Sequence, residues 1–286
     1  MTEGKTNRVV YVGLPAYNEA AAISPLLSRV EAARIDLISR GLVRDLQIIF
    51  YDDGSTDDTV QCVRESHRGT ETFVLSPPSN GGLGVALQGI VNFFLTRATD
   101  EDVLVVMDCD DTHDPQQIAE LLSRMDRFGE DVVIASRYRK GAVVAGVSWN
   151  RQLLSFGFAV LVKIVLPISG VRDYSCGYRA YAKAPLMKAS GDGGFQLQEP
   201  GFSAMPEILM RLRPGKWKFG EIPLLLAYDR RLTQSKMRAW KNSSRLMQCL
   251  VSWRLHPRRV SEDTPPAREP LGDVSVEILR GNELEA

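Results

Sequence analysis

The stretch Val103-Leu104-Val105-Val106-Met107-Asp108-Cys109-Asp110 decides how this chain is read. An unbroken apolar run rich in valine reads as a strand covered on both faces, as in a parallel sheet. Asp108 and Asp110 stand where that strand emerges. In extended backbone residues i and i+2 point to the same side, so both carboxylates can reach one hard cation. Mg2+ and Mn2+ take such oxygen ligands and complete their shells with substrate phosphates and water. An acidic turn after a strand is common, so the pair gains meaning only from what surrounds it.

Two further strand ends carry polar clusters. Val9 to Leu14 runs into Pro15-Ala16-Tyr17-Asn18-Glu19, and Leu46 to Tyr51 into Asp52-Asp53-Gly54-Ser55-Thr56-Asp57. Ligands of open parallel sheets bind outside the carboxyl ends of the strands. The three clusters therefore converge on one crevice, where a carboxylate such as Asp52 can accept from a base N–H and the Tyr17 ring can stack on its face.

Outward from these, strand and helix patterns alternate. Strands are expected over 9–14, 46–51, 72–75, 102–107 and 131–136, with helices near 18–39, 57–67, 83–97 and 115–127. That βαβ series implies an α/β fold, a Rossmann-like parallel sheet flanked by helices. Asn18 suits a helix N-cap, Gly41 a helix end and Pro115 a first helical position. In the second half, helices are expected over 149–168, 206–212 and 237–255, and strands over 177–182 and 217–222. From 257 to 286 the chain is polar and carries Pro265-Pro266, which reads as a flexible tail.

Lys plus Arg and Asp plus Glu both number 35, so no global field recommends nucleic acid as a partner. Cys62, Cys109, Cys176 and Cys249 show no paired or metal-like spacing, which suits a reducing, cytoplasmic compartment. The apolar stretch at Leu153 to Val162 is far short of the roughly 20 residues of a membrane span. Trp149 to Ile168 and Arg238 to Arg259 nevertheless combine apolar faces with basic residues, the mixture of a helix lying on an anionic membrane surface. Packing into the core or a dimer interface is the alternative, and oligomeric state stays open.

Asn80-Gly81-Gly82-Leu83-Gly84 offers free backbone N–H groups at a helix start. It lacks the full Gly-x-Gly-x-x-Gly pattern and follows the third strand, so tight packing is its first reading and phosphate contact its second. Among the basic residues, Arg137 follows the fifth strand, Arg151 and Ser155 share a helical face, and Arg230 and Lys236 lie in a polar loop.

These motifs, in order, resemble family-2 glycosyltransferases of the GT-A fold, most closely the dolichyl-phosphate (polyprenyl-phosphate) mannosyltransferase type. The likeness spans about Val9 to Trp253 through Pro15 to Glu19, Asp52 to Ser55, Asp108-Cys109-Asp110 with His113 and Pro115, Ser136-Arg137-Tyr138, Asp173 to Tyr181 and Arg230 to Lys236. It implies a catalytic domain over 1–256, with a nucleotide-sugar half at about 8–115 and an acceptor half at about 116–256. It further implies that Pro15, Tyr17, Glu19 and Asp52 hold the nucleoside and that Asp108 and Asp110 bind Mg2+ or Mn2+ at the diphosphate. Arg137, Arg151 and Ser155 would contact an acceptor phosphate, and Arg230 with Lys236 would close on phosphate. The chain departs from that family's pattern at Thr112, where Gln is usual, at Thr233, where Gly is usual, and in the spacing of Phe195 to Ala204.

The implied reaction is an inverting, in-line displacement at the anomeric carbon of a nucleotide sugar, GDP-mannose or a UDP-sugar. A phosphate monoester acceptor, with a second pKa of about 6, is already anionic and needs no general base. A hydroxyl acceptor needs one, and Asp173, Glu199 and Glu207 are the candidates. The basic cluster favours a lipid-linked phosphate, with the enzyme at a membrane surface. A family-2 enzyme with a soluble hydroxyl acceptor is the alternative. A nicotinamide dehydrogenase would want Gly-x-Gly-x-x-Gly after the first strand, which Gly13-Leu14-Pro15 does not supply.

Overall fold

A computed structural model describes residues 6–145, 157, 160–227 and 273–280. The apolar runs form β1 (Val9–Ala16), β2 (Asp45–Asp52), β3 (Thr72–Ser76), β4 (Val103–Val106) and β5 (Val132–Ser136). Between them lie α1 (Ala20–Ser39), α2 (Thr59–Ser66), α3 (Leu83–Arg97) and α4 (Ile118–Phe128), the last entered through a 3-10 turn at Pro115–Gln117. The second half adds β6 (Val143–Ala145), β7 (Arg179–Ala182), α5 (Lys183–Ala189), α6 (Ala204–Leu212), β8 (Phe219–Pro223), β9 (Leu225–Ala227) and β10 (Ser275–Leu279).

Eight strands make one sheet in the order β10-β3-β2-β1-β4-β7-β5-β8, and β6 pairs with β9 separately. β1 lies between β2 and β4 and is parallel to both, with Val12 opposite Ile48 and Val105. The three polar clusters therefore emerge side by side at one edge. Helices cover the sheet, and Val10, Val12, Leu104, Val105, Ile23 and Phe94 are all fully buried. α3 sits close on the sheet because Gly89 faces the Tyr51 ring, where a Cβ would collide.

The sheet is mostly, not wholly, parallel. β7 runs antiparallel between β4 and β5, and β10 antiparallel to β3. β10 also corrects the expectation of a flexible tail over 257–286 at the residues described there. Ser275–Leu279 closes the open edge at β3, and Arg64 grips Glu277 through both carboxylate oxygens at 2.9 to 3.2 Å. Among the described residues no helix is long and apolar enough to cross a membrane.

Asn18 does not cap α1. It adopts φ +52°, and its Oδ1 accepts from Thr56 N–H at 2.7 Å, tying the loop after β1 to the loop after β2. Gly41 ends α1 as expected, with φ +67° and its N–H on Ile38 O. Asp114 caps the turn that Pro115 opens, accepting from Gln116 N–H.

Candidate active site

The first two strand ends are laced into one wall. Pro15 and Ala16 lie opposite Tyr51 and Asp52. Asn18 N–H donates to Ser55 Oγ, Glu19 N–H to Thr59 Oγ1, and Ser55 N–H to Asp52 Oδ1 at 3.1 Å. Glu19 and Asp52 are buried, and Tyr17 stands 38% exposed at the mouth, so the four expected nucleoside residues are brought together.

Asp53, not among the expected site residues, holds the glycine loop that follows β3. Its Oδ1 accepts from Gly81 N–H at 2.7 Å and its Oδ2 from Gly82 N–H at 2.9 Å, while Asn80 Nδ2 donates to its carbonyl. Burial pushes the Asp53 carboxyl above its usual range, the two N–H groups oppose that rise and the Asp52 charge adds to it. The N–H groups of Gly81 and Gly82, and that of Gly84 on Pro200 O, are thus committed within the protein. Packing, the first reading of that loop, is what the structure shows.

Asp108 and Asp110 emerge from β4 as expected. Asp110 Oδ1 accepts from both the hydroxyl and the N–H of Thr112, at 2.7 and 3.2 Å. Asp108 N–H donates to His113 Nδ1 at 3.1 Å, so that nitrogen carries no proton and Nε2 does in the neutral ring. His113 is buried and stacks on Tyr178, ring centroids 5.0 Å apart. Gly177 lies against the Asp108 carboxylate, where a Cβ would meet Oδ1 at 2.9 Å.

Among the described residues no third His, Cys, Asp or Glu joins this pair into a ligand cluster. A pair of carboxylates is what Mg2+ or Mn2+ uses when substrate phosphates and water supply the other ligands. Asp108 and Asp110, one residue apart just beyond the end of β4, are a donor set that fits such an ion.

Arg137, at the end of β5, is held rigidly. Its Nε and Nη2 donate to the two oxygens of Asp173 at 2.8 and 2.7 Å, and Nη2 also to Ser175 Oγ at 2.6 Å. The side chain stays 26% exposed, and Nη1 has no partner among the described residues. Burial alone would raise the Asp173 carboxyl, but the Arg137 guanidinium and the backbone N–H groups outweigh it and hold the carboxyl below its usual range. Burial and the nearby Asp173 charge push the Cys176 thiol up to about 12, so it is an inert neighbour. The Asp173 to Gly177 segment thus links Arg137 to Asp108. The sequence signal for that link is modest: an Asp two residues before a Ser, the pattern of an Asx turn.

Two of the candidate general bases are committed elsewhere. Asp173 is fully buried on Arg137, and Glu207 is 1% exposed and accepts from Gln198 N–H, Glu199 N–H and Arg211. Arg151, Ser155, Arg230 and Lys236 lie outside the described residues, as do 237–255 and all of 149–168 except residue 157 and residues from 160 onward.

With this geometry in view, residues 11–188 match the family model described as glycosyl transferase family 2. The chain belongs to that family. This glycosyltransferase is 28% identical over 255 residues to polyprenol monophosphomannose synthase of Mycolicibacterium smegmatis, covering 88% of this chain and 89% of the relative. It is 32% identical over 216 residues to dolichol-phosphate mannosyltransferase of Pyrococcus furiosus, covering 75% of this chain and 55% of that longer relative. Among solved structures, glucosyl-3-phosphoglycerate synthase from Mycobacterium tuberculosis in complex with phosphoglyceric acid superposes with a TM-score of 0.59 at 22% identity, over 86% of this chain and 79% of that one. A second structure of that enzyme, with Mn2+, UDP-glucose and phosphoglyceric acid, also has a TM-score of 0.59, at 21% identity, over 87% and 79% of the two chains. The family-2 glycosyltransferase therefore has the GT-A-like architecture anticipated from its strand ends.

Proposed function

We propose that this glycosyltransferase moves a sugar from a nucleotide sugar, with GDP-mannose the leading donor and a UDP-sugar the other, to a polyprenyl or dolichyl phosphate. Pro15, Tyr17, Glu19 and Asp52 hold the nucleoside. Asp108 and Asp110 hold a divalent cation, Mg2+ or Mn2+, which when bound neutralises charge growing on the departing diphosphate. Arg137 receives the acceptor phosphate, together with Arg151 and Ser155, while Arg230 and Lys236 close over phosphate. A lipid acceptor places the enzyme at the cytoplasmic face of a membrane without spanning it.

The observation that carries this reading is the fixed Arg137 guanidinium. Asp173 and Ser175 take its Nε and Nη2, and the chain that holds it reaches Asp108 at Gly177. A preorganised cation beside the diphosphate site suits an anionic nucleophile, which at neutral pH needs no base. The names of the mannosyltransferase relatives point the same way.

The alternative, a soluble hydroxyl acceptor, has one observation in its favour. Glu199 is partly exposed, and its loop is fixed through its own N–H on Glu207 and through Pro200 O on Gly84 N–H, which would steady a general base. Sugar turnover with GDP-mannose and polyprenyl phosphate tests the proposal, in Mn2+ or Mg2+ and in excess chelator. Metal-dependent product that Asp110→Asn abolishes supports it. Full turnover in chelator, or none with any nucleotide sugar, refutes it.

A further inference from the structure

Two buried carboxylates hold the two sides of the cleft in the same manner. Asp53 binds the N–H groups of Gly81 and Gly82, and its own N–H donates to Ala16 O at 2.8 Å, at the end of β1. Glu207, in α6, binds the N–H groups of Gln198 and Glu199, each at 2.9 Å. The loops so held meet backbone to backbone at Gly84 and Pro200. Gly84 N–H donates to Pro200 O at 2.9 Å, a Cβ on Gly82 would come within 2.5 Å of that same oxygen, and one on Gly84 would strike Glu199 O. Charge-assisted bonds to paired N–H groups are short and strong, and a backbone-to-backbone joint has little slack to absorb a displacement.

We propose that Asp53 and Glu207 are positioning residues of one unit, through which the acceptor-side loop at 197–200 sets the affinity of the donor pocket for a nucleoside diphosphate. This rests on the nucleotide-sugar reading of Pro15, Tyr17, Glu19 and Asp52 given above. Asp53 is the donor-side end of the unit because it follows Asp52 and bonds back to Ala16, beside Tyr17. Glu207 is the acceptor-side end, remote in sequence and joined to the pocket through the Pro200–Gly84 bond and, beside it, through Leu197 N–H on Gln88 Oε1 of α3 at 2.9 Å. Substrate on one side of the cleft would then be felt on the other, as a coupling between two sites requires.

A double-mutant cycle of Asp53→Asn and Glu207→Gln in the full chain tests this, with two readouts. Amide hydrogen exchange, read without ligand, should rise about fivefold or more in Glu207→Gln at Gly81, Gly82 and Gly84 as well as at Gln198 and Glu199. Calorimetry with GDP or UDP and Mn2+ should show weakening of about fivefold or more, with the double variant little worse than the worse single, where independent residues would add. Faster exchange confined to Gln198 and Glu199, or additive losses of affinity, overturns the proposal. Gly84→Ala severs the joint and leaves both carboxylates, so it covers a Glu207 variant that does not fold. It should loosen Gly81 and Gly82, and unchanged exchange there also overturns the unit. If the wild-type chain binds neither nucleotide, the donor reading itself has failed, and the exchange cycle alone decides whether the two loops move as one.

Discussion

Gly177 lies so close to Asp108 that a Cβ on it would stand 2.9 Å from the Asp108 Oδ1. Contacts that short are essentially never tolerated, so a side chain at 177 must displace either the carboxylate or its own backbone. The carboxylate is the softer of the two. Gly177→Ala should lower kcat/KM for sugar transfer by about 10²-fold, the order expected for an ångström-scale misplacement of a catalytic group. Unaltered melting alongside that loss would assign the effect to Asp108; unaltered kinetics would show that Asp108 has room to move.

Asp173 and Glu221 should respond oppositely to pH. The Asp173 carboxyl is held below its usual range, so its stabilising contribution is present above the unfolded value of about 3.9 and is lost as pH falls through the folded value. Glu221 accepts from Arg172 N–H at 2.6 Å and Asp173 N–H at 2.8 Å, yet burial, aided by the Asp173 charge, raises its carboxyl despite those N–H groups. Its contribution is therefore fullest below the unfolded value of about 4.3 and is lost as pH rises through the folded value. Melting curves from pH 3 to 7 should show the deficit of Asp173→Asn shrinking toward acid. The deficit of Glu221→Gln should shrink toward neutral pH. At neutral pH the Asp173 change leaves Arg137 unpaired and should cost about 3–5 kcal/mol, the loss typical of breaking a buried pair.

β10 should matter more as backbone than as charge. Arg64 and Glu277 are each nearly half exposed, so Glu277→Ala should change stability by less than about 1 kcal/mol. Deleting residues 273–286 should instead uncover the whole edge of β3 and promote self-association, which sedimentation reads directly. Equal effects of the point change and the deletion would contradict this ranking.

What the sequence revealed, and what it hid, follows from the range of each interaction. The apolar run before Asp108 and the polar ends of β1 and β2 are local patterns, and they placed three neighbouring strand ends correctly. Gly177 to Ala182 was legible as a strand, but side-chain alternation carries no direction, so its antiparallel seat between β4 and β5 was not. Asn18 has the chemistry of a cap and found a stronger partner in Thr56, on a loop brought near only by folding. The same holds for Asp53 with Gly81 and Gly82, and for Arg137 with Asp173, which are separated in sequence by 28, 29 and 36 positions. β10 escaped notice because it is only five residues long, lies in an otherwise polar stretch and pairs with a single neighbour, despite its apolar Val276, Ile278 and Leu279.

The central claim is an anionic, lipid-linked acceptor received by Arg137. It is tested most directly by initial rates with GDP-mannose and Mn2+, comparing polyprenyl phosphate with the same polyprenol lacking its phosphate. The account predicts transfer to the phosphate at least about 10²-fold faster, the scale that a preorganised donor to developing charge supplies, with Arg137→Ala erasing most of the difference. Equal or faster transfer to the free alcohol, unaffected by Arg137→Ala, would contradict it.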